Sequence, residues 1–499
     1  MSVPTCIIYI ALQDTRHSRC ELRNVHRALN MAVAVGIGFT VALTEDGSVC
    51  TFGRNNMGQL GVGHTRSLCQ PTILDRLRNF GGQDVVMVAA CFHNSACVSG
   101  DGAVWTWGSN AYGQLGRGSD VVDTHTPGRI DPLLFGNSPA HMVACGENFT
   151  LILNSRGEVW ACGLNEYGQL GLGHTHMVNA PTRIDPVHFG DMPVAMIACG
   201  SRYSMAVAHG GRELFGWGWN DAGQLGVGVG ISQSTDLFDP IRSARYWVPR
   251  RSTTAAALGE AAIVFISAGH DFTMLVTDAG DLWGCGNGRG NEFGLGDGAV
   301  HLQFQWVGGE SHFGRGGVRM VSCGFHHSLI VGKNGSLWSC GRGSLGGLGT
   351  GFRALDGADQ QNNERPTLLD RTLLCNSNVV VVAAGRHSVA VTAHGRVCTW
   401  GKGMGRGVSF DRTPDTDWTP IGLSVSRMHA ARIGRWHDVR VEMREAFAMG
   451  AHEKFAAVGG RTAYSDNMPE DVLVMLCDYM RFAPRKGASQ ALRHLLGLL

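Results

Sequence analysis

Lysine is nearly missing from this chain of 499 residues. It stands only at Lys333, Lys402, Lys454 and Lys486, so almost all positive charge is arginine. The shortage runs along the whole chain, which marks a bias in coding composition and not a local partner chemistry. Charged residues of both signs amount to 17%, and the formal net charge is +1. No broad field of one sign draws the chain onto nucleic acid or a lipid surface. Long apolar runs are missing too, since none approaches the roughly 18 residues of a spanning helix. Val3 to Leu12 is apolar, but no basic region precedes it and Gln13-Asp14 interrupts it, which is poor for a signal peptide. GxSxG, Walker and HExxH motifs are absent, as are zinc-spaced CxxC pairs and a basic cluster near the start. These absences direct the reading away from hydrolases, nucleotide-cradling enzymes and zinc sites.

Glycine, in contrast, is abundant at 71 residues, and it is periodic. An aromatic-Gly or Cys-Gly step closes at Gly53, Gly108, Gly163, Gly218, Gly286, Gly341 and Gly401. An earlier anchor falls at Gly36, Cys91, Gly146, Gly200, Gly269, Gly324 and Gly385. Seven units of about 50 residues indicate a repeat architecture. Each unit holds short apolar runs such as FTVALT and FTLILN. Asp46-Gly47, Asp101-Gly102 and Asn334-Gly335 supply the positive φ of tight hairpins. A second strand then places Trp105 and Trp107, or Trp160 and Cys162, on one face. A glycine-rich loop follows, and a proline-marked strand ends the unit at Pro71 or Pro181. About four strands per unit predict a propeller blade.

The register also absorbs most residues that resemble chemistry. Cys145, Cys199 and Cys323 share one small apolar slot, and Cys162, Cys285 and Cys340 occupy the slot of Trp107, Trp217 and Trp400. Cys50 and Cys398 stand where Trp105 and Trp160 stand. Buried free cysteine behaves as a small hydrophobe, and unpaired cysteines suit a reducing compartment. His64 and His174 follow the same loop glycines, which reads as loop chemistry and not as a metal pair. Gly58-Gln59-Leu60-Gly61 recurs once per unit, which argues for turn geometry over a phosphate cradle.

The phrases GQLGVG, GQLGRG and GQLGLG, recurring in register, resemble the repeats of the regulator of chromosome condensation (RCC1) family over residues 31–423. The resemblance implies an all-β, seven-bladed β-propeller whose function lies on loops at one end of the ring. It places the anchor-turn positions at Asn148, Arg202, Asp271, His326 and Arg386, with His93 near the matching position. His326 stands in a GFHHS phrase similar to the nucleotide-exchange member's G-x-H-H-[ST] step. That member pairs the histidine with an acidic residue two repeats away. Here Asp271 lies one repeat away, and the position two repeats before His326 is Arg202.

Three interruptions set the chain apart. The fourth repeat carries about 13 extra residues within 228–260, a segment that includes Arg242, Arg245, Tyr246, Trp247, Arg250 and Arg251. Arginine beside aromatic residues is the composition of binding hot spots, and insertions in repeats map to loops. Residues 1–30 offer a closing strand. A half repeat through Asp438-Val439-Arg440-Val441 offers another, to pair with the first or last blade and remove sticky edges. Residues 442–499 read as a small helical extension, with Val472, Leu473, Met475, Leu476 and Met480 on one face. The stretch MPEDVLVMLCDYM resembles the opening helix of an F-box.

The expectation is therefore a propeller over 31–441, non-enzymatic and intracellular (cytoplasmic or nuclear), with no cofactor or metal. It acts as a monomeric platform for a protein partner such as a small GTPase, a histone or a ubiquitin-ligase adaptor, without membrane attachment or direct nucleic-acid binding. The alternatives are a guanine-nucleotide exchange factor and a substrate receptor of a ubiquitin ligase.

Overall fold

A computed structural model describes residues 33–44, 46–118, 123–228, 245–343, 346–350, 362–374, 376–401 and 421–423. They form seven antiparallel sheets of four strands each, and within every sheet the strands follow one another in chain order. Blade 1 runs Val33–Val35, Phe39–Leu43, Val49–Gly53 and Leu68–Leu74. Blade 7 runs Val379–Ala384, His387–Thr392, Val397–Gly401 and Ile421–Leu423. The first strands of successive blades adjoin, and that of blade 7 adjoins that of blade 1, so the ring is closed. The propeller expected from the sequence is the fold observed. The N-terminal segment, the half repeat after the seventh and the helical extension lie outside the described residues.

Burial follows position in the blade. The second strands are buried throughout, as in FTLIL of Phe149–Asn154. The outer strands are half exposed, as in Leu68–Leu74. Gly47 and Gly102 turn the hairpins at φ 75° and 80°. The anchor glycines are needed for space instead. A Cβ on Gly146 would lie 1.9 Å from the Phe149 ring, and one on Gly36 would lie 1.9 Å from the Phe39 ring. In blade 2 the third residue on is Asn94, not an aromatic, and there Cys91 replaces the glycine.

Blades are tied to each other by one repeated device. The carbonyl of Gln169 accepts from Ser204 Oγ at 2.8 Å and from Trp217 Nε1 at 2.9 Å in the next blade. Gln59 O accepts likewise from Ser95 Oγ and Trp107 Nε1. Where cysteine replaces tryptophan, its thiol takes the same partner: Cys162 Sγ meets Gln114 O at 3.8 Å, and Cys340 Sγ meets Glu292 O at 3.5 Å. Burial pushes the Cys145 thiol up to about 12, so it stays neutral and apolar. At the closing seam, the Thr40 hydroxyl meets His387 Nε2 at 2.9 Å.

Short helical turns link the blades, which the sequence reading did not foresee. Asp131 and Asp185 cap Pro132–Phe135 and Pro186–Phe189 at their starts, and Gly136 and Gly190 end them in the left-handed region. Asp-Pro before an apolar pair and glycine was the available signal.

Candidate functional site

The turn between the first and second strand of each blade presents its last residue at one end of the ring. These residues are Gly38, His93, Asn148, Arg202, Asp271, His326 and Arg386. In blades 1 to 6 the backbone carbonyl at this position accepts from the residue after the closing glycine. Arg54 N donates to Gly38 O at 2.7 Å, Trp219 N to Arg202 O at 3.0 Å, and Arg342 N to His326 O at 2.8 Å. In blades 2 to 6 two side chains are thereby fixed next to each other.

The glycine-rich loop of the preceding blade supplies a third. Asn55, Asn110, Asn165 and Asn220 each accept through Oδ1 from the loop leucine N–H. Gln59, Gln114, Gln169 and Gln224 each accept through Oε1 from the N–H two residues back. This brace fixes a buried glutamine beneath the next anchor turn. Gln59 Nε2 stands 3.4 Å from His93 Nδ1, and Gln114 Nε2 donates to Asn148 Oδ1 at 3.4 Å. Burial first, and then the charge of Arg54, lower His93 to about 4, partly offset by Asp123.

In the fifth loop the glutamine position is Glu292. It keeps the glutamine half of the brace, its Oε2 accepting from Gly290 N at 2.8 Å, while Gly288 stands at the asparagine position. It is fully buried, and its Oε1 lies 3.6 Å from both His326 Nδ1 and Arg342 Nε. The carboxylate beside His326 is therefore Glu292, not Asp271. Asp271 is held elsewhere, by Asn287 Nδ2 at 2.8 Å and beside His270 Nδ1 at 3.5 Å.

Over these buried carboxylates runs an arc of cations and rings. Arg245 and Arg202 lie 4.7 and 4.8 Å from the Tyr167 ring centre, and Arg202 lies 5.9 Å from that of Trp219. Trp219 meets His270 edge-on at 6.2 Å, and His270 meets Phe325 at 5.0 Å. Arg386 ends the arc 5.8 Å from Phe325. Arg202 is also oriented by Tyr167 OH at 2.8 Å and by Glu147 Oε2 at 3.5 Å. Glu147 itself accepts from Ser201 Oγ at 2.7 Å. Beside the arc is an open cavity of about 410 Å³, lined by Phe92, His93, Ser109, Tyr112, Glu147, Asn148 and Arg202.

The structure thus gathers Asn148, Arg202, Asp271 and His326 at one end, as the sequence reading grouped them. It divides the other group. Arg242 lies outside the described residues. Arg245–Arg251 is not an inserted loop but the regular outer strand of blade 4, with Tyr246 opposite Gly218. In blade 3 the corresponding partner of Gly163 is Val178, so the extra length precedes Arg245. Arg245 reaches the arc, whereas Arg251 sits about 20 Å along the strand, ion-paired with Glu213. Trp247 is 50% exposed and packs over Gly168 of the preceding blade. Tyr246 is half-buried beneath Arg250, whose guanidinium lies 6.0 Å from its ring centre. The sequence reading missed Tyr167, Trp219, His270 and Glu292. Only Glu292 left a signal, an acid in the glutamine register.

Comparison with known proteins agrees with the fold. The RCC1-like domain model matches residues 71–440, and the RCC1 repeat model matches residues 32–59. The chain is 30% identical over 387 residues to the ultraviolet-B receptor UVR8 of Arabidopsis thaliana, covering 77% of this chain and 80% of that protein. It is 29% identical over 310 residues to the human (Homo sapiens) E3 ubiquitin-protein ligase HERC2, covering 62% of this chain but 6% of HERC2. Among solved structures, Prp20p of Saccharomyces cerevisiae, described with its binding to Gsp1p and histones, superposes with a TM-score of 0.64. The identity is 19%, over 86% of this chain and 100% of Prp20p. Human WBSCR16 gives 0.57 at 24% identity, over 71% of this chain and 84% of that one.

Proposed function

Because the chain belongs to the RCC1-like family, we propose that it is a non-catalytic protein-interaction platform whose partner docks on the anchor-turn end of the ring. The observation that carries this reading is the arc from Arg245 to Arg386. Buried Glu147 holds Arg202 within it, and buried Glu292 lies against His326 and Arg342 on the same face. Aromatic and arginine side chains on a rigid support are the composition of protein hot spots, and a closed propeller provides that rigidity. Free buried thiols suit a reducing cytoplasm or nucleus.

The test is affinity capture from the native cell with the full chain as bait. A Tyr167→Ala, Trp219→Ala, His326→Ala variant is expected to lose the principal partners while its melting profile stays cooperative. An unchanged set of partners sinks the reading.

Nucleotide exchange on a small GTPase is the second reading. It is favoured by His326, which stands on this face with Glu292 at 3.6 Å, and by the Gsp1p binding named for Prp20p. Nucleotide release from purified small GTPases decides it, with Glu292→Gln expected to slow any release found. A role as a ubiquitin-ligase receptor depends on the stretch around 468–480, outside the described residues.

A further inference from the structure

The open cavity beside the arc differs from the arc in what lines it. Its walls are the rings of Phe92, His93 and Tyr112, with the centres of Phe92 and His93 4.6 Å apart. The irregular anchor turn of blade 2 supplies the first two. Phe149 and Tyr203 stand three residues after the anchor and are buried. Blade 2 has Asn94 in that place, and its aromatic residue stands one position after Cys91, half-buried at the end of the ring. Tyr112 comes from the glycine-rich loop, where its N–H is braced on Gln114 Oε1 at 2.9 Å and the residue is 39% exposed. Burial above all, and then the charge of Arg54, hold His93 uncharged at neutral pH, so it does not repel a cation.

The most deeply buried residue of the lining is Glu147, at 6% exposure. Among the described residues, both contacts of its carboxylate fall on Oε2, from Ser201 Oγ at 2.7 Å and from Arg202 Nε at 3.5 Å. That leaves Oε1 as the open side of the carboxylate in the cavity. Arg202 lines the cavity too, but its guanidinium is taken up elsewhere. It donates to Tyr167 OH at 2.8 Å and lies 4.8 and 5.9 Å from the ring centres of Tyr167 and Trp219. A buried carboxylate with one oxygen unpartnered is costly. A cation brought to that oxygen makes a charge-assisted hydrogen bond, and aromatic faces attract cations, not anions. We propose that the cavity receives the arginine or lysine side chain of a partner protein, with its cationic head on Glu147 Oε1 and its stem between Phe92 and Tyr112. A volume of about 410 Å³, open to solvent, suits one long side chain entering from a partner's surface. An acidic side chain or a phosphate would be brought against Glu147 instead. The proposal rests on the reading that the anchor-turn end is the docking end.

The experiment uses the full chain and short acetylated glycine-serine peptides with a single central arginine, lysine, citrulline or glutamate, titrated by saturation-transfer NMR. The arginine and lysine peptides are expected to bind more tightly than the uncharged citrulline peptide, with affinity falling as salt rises. Glu147→Gln keeps an acceptor for Ser201 Oγ and is expected to weaken the arginine peptide by about tenfold. Tyr112→Ala, at an exposed loop position, should weaken it by about threefold. Arg129→Gln, on the outer strand of blade 2, should leave binding as it was. Absent or citrulline-like binding of the arginine peptide overturns the proposal, and so does tighter binding of the glutamate peptide, which would assign the cavity to Arg202. Unchanged binding by a Tyr112→Ala variant with a wild-type melting profile overturns it even where Glu147→Gln fails to fold. The docking reading is separable from this one. If both variants lose the arginine peptide but the Tyr167→Ala, Trp219→Ala, His326→Ala variant keeps every cellular partner, the cation preference of the cavity stands and the docking reading fails. If that triple variant loses its partners while Glu147→Gln binds the arginine peptide as wild type does, the docking reading stands and the cavity proposal fails.

Discussion

The first four glycine-rich loops and the fifth share the backbone contact made from the glutamine position and differ in the group that makes it, while Gly288 replaces the bracing asparagine. Gln59, Gln114, Gln169 and Gln224 put an amide beneath the next anchor turn, and Glu292 puts a carboxylate there. The amide is tolerated beside histidine, asparagine, arginine or aspartate, because it is neutral and can donate or accept. The carboxylate is not tolerated so broadly, and it is found where His326 and Arg342 both face it. A similar change runs through the ring position three residues after the anchor. Phe39, Phe149, Tyr203 and Phe272 fill it in blades 1, 3, 4 and 5 and Asn94 in blade 2, whereas His327 fills it in blade 6, and in blade 7 His387, two residues after Gly385, takes the same place opposite the closing glycine. At these two positions the earlier blades carry neutral groups and the later ones titratable groups on the same backbone.

That contrast can be broken at its strongest point by Gln114→Glu. The new carboxylate would be fully buried beside Asn148, with no cation in the place of Arg342. A loss of about 3–5 kcal/mol is expected, read as a lower urea midpoint at unchanged slope. Next in size is the anchor glycine. Gly146→Ala drives a methyl into the Phe149 ring and should cost about 1–3 kcal/mol. Cys91→Ala, facing Asn94 in the same register, should stay below about 1 kcal/mol.

The histidines give a pH test. Burial first, and then the charge of His326, lower His327 to about 4 from its ordinary 6.5. Between those values the unfolded chain binds more protons than the folded one, so stability falls as pH drops from about 6.5 to about 4 and is flat above. His327→Gln, which can still meet Ser388 Oγ, should flatten part of that slope in melting curves. His93 contributes to the same window. The smallest effect is expected for Glu292→Gln. It restores the regular loop and leaves His326 and Arg342, which are partly exposed, to solvent. A stability change within about 1 kcal/mol accompanied by altered partner capture would separate the earlier and later blades by function.

The fold was legible because its determinants are local and repeated. An aromatic three residues after a glycine, a turn dipeptide and a Trp-or-Cys slot each recur at fixed spacing. The anchor-turn residues were legible for the same reason. The arc was not, because Tyr167, Arg202, Trp219 and Arg245 come from different strands and loops, and only the ring brings them together. The placement of Arg245–Arg251 failed because extra length between two strands does not say where the second strand begins. Glu292 stands in the glutamine register of the fifth loop, and the amide-to-acid change there was the one signal the chain offered.

The interchange of tryptophan and cysteine at one carbonyl gives the ring a set of built-in reporters. Trp107, Trp217 and Trp400 mark blades 2, 4 and 7 in nearly identical surroundings. Cys162, Cys285 and Cys340 mark blades 3, 5 and 6. Indole emission and thiol alkylation would then follow the opening of two different sets of blades. If the ring opens at its seam, fluorescence from Trp400 should change before Cys285 becomes reactive.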